Sequence, residues 1–214
     1  MIKEYIGQQN IDRPHGRTEL HEVCAIGKID RVKDILETNP DEICKTNDTL
    51  ETTLHFALVQ YEGKDETIVK NLIDLLLNFG ANVNAKNNQA ETPIYYAIHN
   101  YNHEIVNHLL NNGASILNRR LQDGKTPLEY VQFLCDQSKQ NQTNQDDINN
   151  SQRLDKIAEL LSEKQQQHDD MVIRRTDLLH APQPSGCCFA KVLKKLLGLN
   201  PESIKVIKEN PYRS

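Results

Sequence analysis

The sequence predicts an all-α solenoid of stacked helix-turn-helix units joined by short hairpin fingers. Three observations carry that prediction. One phrase recurs four times in register: TELHEV from Thr18, TTLHFA from Thr52, TPIYYA from Thr92 and TPLEYV from Thr126, at spacings of 34, 40 and 34 residues. Each copy leads into an apolar pattern that ends in a pair: Ile35 with Leu36, Leu76 with Leu77, Leu109 with Leu110, and Leu160 with Leu161. Two copies then close on Gly-Ala, at Gly80 and Ala81 and at Gly113 and Ala114. A period in this range means an array whose units bury their apolar faces only against their neighbours.

Taken in order, 1–10 is a lead-in and 11–163 is the array, with units at about 14–45, 46–86, 87–119 and 120–163. The third unit shows the logic most plainly. Thr92 can cap a helix whose first position is Pro93, where proline loses nothing. Ile94, Ala97 and Ile98 share one face of that short helix. After a turn near 100–102, a second helix presents Ile105, Val106, Leu109 and Leu110 at helical spacing until Gly113 stops it. Two insertions break the period, one near 61–67 and one across 136–152. The second is a Gln, Asn, Asp and Ser tract with Ile148 as its one aliphatic residue. Such a composition buries little, so both insertions are expected to be solvated loops, with recognition elements as the alternative.

Bulk properties narrow the function. In 214 residues there is no Trp and 37% are hydrophobic, at a mean hydropathy of −0.65, which suits a thin solenoid core. Residues 1–163 hold 16 Lys and Arg against 25 Asp and Glu, whereas 164–214 hold 9 against 5. An acidic array is a poor match for phosphate, so nucleic acid is not expected as a partner. The five cysteines at 24, 44, 135, 187 and 188 show no metal-ligand spacing, and no cofactor or metal is expected. Residues 1–9 lack a long apolar core and no run reaches membrane-spanning length, so a monomeric protein of a cytosol is expected, with neither a signal peptide nor a transmembrane segment.

The repeated phrase resembles the ankyrin repeat, whose pattern is Gly-x-Thr-Pro-Leu-His-x-Ala followed by Val-x-x-Leu-Leu-x-x-Gly-Ala. It is met by Gly16, Thr18, Leu20, His21 and Gly27, then by Thr52, Leu54, His55, Ala57, Gly80 and Ala81. Thr92, Pro93 and Ala97 carry it in copy three, and Gly124, Thr126, Pro127 and Leu128 in copy four. Two departures stand out. The pattern's His is Tyr95 in copy three and Glu129 in copy four, so its hydrogen bonding is expected to be lost there.

The resemblance implies a non-catalytic scaffold that binds one or more proteins along the finger tips and the exposed side of the first helices. By position those residues are Arg17, Ala25 and Ile26 in copy one, and Asp48, Thr49, Glu51, Val59 and Gln60 in copy two. Copy three offers Asn88, Gln89, Glu91, His99 and Asn100, and copy four offers Gln122, Asp123, Lys125, Phe133 and Leu134. Phe133 and Leu134 either anchor a partner or lie under the last helix of the array itself.

Residues 164–186 read as a linker and 187–214 as a basic helical tail. Phe189, Val192, Leu193, Leu196 and Leu197 fall on one helical face, with Lys191, Lys194 and Lys195 on the other. The tail either caps copy four, lies on an anionic membrane with Cys187 and Cys188 acylated, or is read by a partner's groove. A peripheral membrane adaptor is thus the alternative function, and a thiol enzyme using Cys187 or Cys188 with His180 as base is a remote one. No phosphate loop, HExxH or GxSxG occurs in the sequence. The richness in Asn, Lys and Ile, with a short tail on an ankyrin-like array, resembles small effectors that intracellular bacteria or viruses place in a host cytosol.

Overall fold

The computed structural model describes residues 16–59, 65–140 and 145–180, with side chains to Lys139 in the second stretch and to Ile173 in the third. Eight α-helices are described: α1 (Glu19–Ala25), α2 (Ile29–Thr38), α3 (Thr53–Val59), α4 (Glu66–Asn78), α5 (Pro93–His99), α6 (His103–Asn111), α7 (Pro127–Gln140) and α8 (Gln145–His180). A 3-10 turn at Pro40–Cys44 follows α2. The short helices form one row, α1 on α3 on α5 on α7, and a second row stacks α2 on α4 on α6. This is the all-α ankyrin solenoid that the repeat phrase predicts.

Apolar periodicity builds the core. Leu20, Leu54 and Ile94 from the first row meet Val32, Leu36, Val69, Leu72, Ile73, Leu76, Ile105 and Leu109 from the second, all buried in one cluster. Each residue touches only its own unit or the next, so the core is long and thin. The first helices need hard stops to turn within seven residues. After α1, Gly27 N–H bonds Cys24 O and Lys28 N–H bonds Val23 O, with Gly27 at φ 73°. Tyr101, at φ 53°, closes α5 with the same pair of bonds from itself and Asn102 to Ile98 and Ala97. Backbone carbonyls at a helix end are satisfied this way when one residue turns left-handed.

The fingers are held by side chains. Asn47 Oδ1 accepts the Thr49 and Glu51 N–H groups, and Asn87 Oδ1 accepts those of Gln89 and Glu91, at 2.8–3.1 Å. Neighbouring fingers are then stitched by Asn88 N–H to Thr49 O at 2.9 Å and by Leu121 N–H to Gln89 O at 2.8 Å.

Copy four differs from the expected solvated loop at 136–152. Helix α7 runs through 136–140 and α8 already includes 145–152. Helix continues because the tract holds no Gly or Pro to stop it, and because Ser151, Leu154, Ile157 and Leu161 are buried along one face of α8. The same absence of a Gly-Ala stop after Leu161 carries α8 through 164–180, where a linker was expected. In copy two, Asp65 Oδ1 caps α4 at the Thr67 N–H, so 65–67 belongs to a helix start rather than a loop. The chain divides into two units, Met1–Gln166 and Gln167–Ser214. The first contains the repeats, and the described part of the second is helix.

Candidate functional site

The site is built from equivalent positions counted from the four threonines. Three residues on stand His21, His55, Tyr95 and Glu129, and four residues on stand Glu22, Phe56, Tyr96 and Tyr130. Rings interlock along the row: His21 meets Phe56 at 5.0 Å, His55 meets Tyr96 at 5.1 Å and Tyr95 meets Tyr130 at 5.9 Å between centroids. Each ring thus packs on the next repeat in an edge-on or tilted arrangement, the geometry aromatic pairs prefer.

The histidines link repeats as well as packing on them. Thr18 N–H donates to His21 Nδ1 at 3.1 Å, which places the ring proton on Nε2, and Nε2 donates to Glu51 O at 3.3 Å. His55 repeats both bonds with Thr52 and Glu91, at 3.1 and 3.2 Å. Burial pushes both imidazoles down, His55 to about 4, so they are neutral at pH 7.

The expected loss of this bonding in copies three and four occurs by half in each, copy three keeping the forward bond and copy four the backward one. The Tyr95 hydroxyl donates forward, lying 2.6 Å from Asn118 O and 2.8 Å from Lys125 O. Glu129 bonds backward, its Oε2 accepting Thr126 N–H at 2.8 Å while Thr126 Oγ1 accepts Glu129 N–H at 3.3 Å. That is a full capping box. Tyrosine has the reach of the first half only, and Thr92 Oγ1 is left buried without a partner.

Among the described residues the pair of helices recurs four times. A family model described as ankyrin repeats, in three copies, matches residues 59–153. Residues 59–153 are thus ankyrin repeats. The match takes in copy three with parts of copies two and four, and the first unit lies outside it while making the same Thr-His bonds as the second. No curated protein matches the chain.

On the ankyrin array the expected binding residues fall into three groups. Ile26 at 53% exposure, Val59 at 43% and Phe133 at 40% are open, as are Arg17, Asp48, Asn88, Gln89, His99, Gln122 and Asp123. Glu51, Glu91, Asn100, Lys125, Ala25 and Thr49 are half-buried. Leu134 turns away, packing on the core and lining a cavity of about 170 Å³ with Tyr101, Asp147 and Leu154. Gln60, and Cys187, Cys188, Phe189, Lys191, Lys194 and Lys195, lie outside the described residues, as does the His180 side chain. Among the described residues no helix is long and apolar enough to cross a membrane.

Charge is distributed unevenly along this surface. Arg120 is buried, stacked 4.1 Å from the Tyr130 ring centre, with Nη2 donating to Gln122 at 2.6 Å and Nε 3.2 Å from Glu91 Oε1. Lys125 pairs with Asp123 at 3.2 Å and lies 4.6 Å over the Phe133 ring, and Arg119 pairs with Glu129 at 2.9 Å. Glu51 is held by neutral donors instead. Burial opposes its charge, but hydrogen bonds from Tyr96, Thr49 and Asn47 outweigh that and keep its carboxyl below the usual range. Sequence reasoning missed Phe56, Tyr96, Tyr130 and Arg120. The aromatic stripe was visible as one ring in each of three copies, whereas nothing in the sequence separates Arg120 from Arg119.

Proposed function

We propose that the chain is a non-catalytic scaffold that holds a partner protein against the open side of α1, α3, α5 and α7. Ankyrin repeats are in general protein–protein interaction modules and not enzymes. The observation that carries the reading here is a row of open side chains, Ile26, Val59, His99 and Phe133, in which His99 packs on Tyr130 and Phe133 lies under Lys125. An exposed aromatic on such a row is the usual anchor of an interface.

The test is co-precipitation from eukaryotic cytosol, comparing wild type with Phe133→Ala and with Val59→Ala. A protein captured by wild type and lost by either variant supports the ledge. An unchanged set of captured proteins moves the binding face elsewhere.

A further inference from the structure

We infer that the half of the ledge formed by copies one and two takes a cationic protein segment carrying aliphatic side chains. The inference rests on the ledge being the binding face. Its basis is a contrast between the two halves. In copies three and four every ledge and finger carboxylate has a cation within ion-pair distance: Glu91 has Arg120, Asp123 has Lys125 and Glu129 has Arg119.

In copies one and two, Glu22, Asp48 and Glu51 have no such partner among the described residues, although Glu51 is well hydrogen-bonded. Arg17, the cation among the ledge and finger residues described in these two copies, is stacked 4.9 Å from the Phe56 ring centre. Among those residues three carboxylates stand against one guanidinium, which makes this half anionic. A low potential beside a protein surface favours an oppositely charged partner and speeds its arrival.

Apolar groups share the same half. Ile26 and Val59 are open, and Leu50, at 52% exposure, stands at the tip of finger two beside Asp48. Leu50 has φ 61° where copies one and four have Gly16 and Gly124, so a leucine side chain is presented from a backbone conformation that suits glycine. Open aliphatics interleaved with unpaired carboxylates match a segment with the complementary alternation, lysine or arginine between leucine-like residues.

The probe is a pair of synthetic amphipathic peptides with one leucine pattern, bearing lysine at the polar positions in one and glutamate in the other. Each is titrated into the full chain and followed by amide chemical shifts and calorimetry. The lysine peptide is expected to bind with an affinity that falls as salt rises, to shift Glu22, Ile26, Asp48 and Val59, and to lose at least tenfold in Glu22→Lys with Asp48→Lys. Binding of the glutamate peptide with equal affinity, shifts confined to α8, or an unchanged affinity in the double variant would each overturn the inference. The variant positions are exposed, and thermal melting checks that the fold is kept. A captured partner lost by Phe133→Ala but retained by the double variant leaves the scaffold reading standing and removes this one.

Discussion

The Tyr95 hydroxyl meets the Lys125 carbonyl at 2.8 Å, the place taken by His21 against Glu51 and His55 against Glu91. A phenol therefore carries the repeat-to-repeat bond forward in copy three. Tyr95→Phe removes the donor and leaves the Asn118 carbonyl short of a partner, while Lys125 O keeps the Arg120 N–H at 3.1 Å. Urea unfolding should show a loss of about 1–3 kcal/mol. A loss below about 0.5 kcal/mol would mean that the ring packing, not the hydroxyl, joins these repeats.

Tyrosine in the place of the histidine also strands a threonine. Thr92 Oγ1 is buried without a bond, whereas Thr52 Oγ1 lies 2.9 Å from His55 Nδ1. Thr92→Val exchanges an idle hydroxyl for a methyl group of similar shape and should be neutral or slightly stabilising. Thr52→Val should lower stability by about 1 kcal/mol. Equal effects at the two positions, in paired denaturant melts, would contradict this assignment.

Acid should loosen the first two repeats. Nδ1 of His21 and of His55 accepts a backbone N–H, so protonation breaks a bond as well as burying a charge. His55 titrates at about 4 when folded and near 6.5 when unfolded, so between those values the unfolded chain binds the extra proton. Stability is full above about pH 6.5 and falls, by up to about 3 kcal/mol for His55, as pH drops to about 4. His21 adds a change of the same sign. The check is a series of urea melts across this window, in which His55→Gln should flatten the slope.

Both finger tips should favour glycine. Ala90 sits at φ 57°, so Ala90→Gly relieves a left-handed penalty of roughly 1–2 kcal/mol, offset in part by about 0.4–1 kcal/mol of unfolded-state entropy. A small net gain is expected. Gly16→Ala should instead lose more than about 1 kcal/mol, because φ is 67° and the new methyl would be driven into the Asp48 carboxylate. Calorimetric midpoints moving in the same direction for both variants would refute the conformational argument.

By itself the sequence determined the repeat, because its signals are local. The threonine caps, the apolar pairs and the helix-stopping glycines each act within a few residues, so their spacing gives the four units and the two rows directly. It also placed Ile26 and Val59 on the exposed side of the first helices, since those positions follow from the register of one helix, and it left Phe133 either open or under the last helix. Only the tertiary structure decided what depends on reach between repeats. The sequence showed a missing histidine at Tyr95 and Glu129, yet one half of its bonding survives in each copy, because a longer side chain meets the next repeat in one and a carboxylate closes its own cap in the other. Leu134 looks like Phe133 in sequence, but it is half-buried against the core, beside Tyr101 and the Leu154 of α8. The polar 136–152 tract reads as loop by composition, but burial of Ser151, Leu154 and Ile157 against copy four extends helix into it. The electrical difference between the two halves of the ledge was equally out of sight, since Glu51 and Glu91 occupy the same repeat position and differ only in whether a cation from the next finger can reach them.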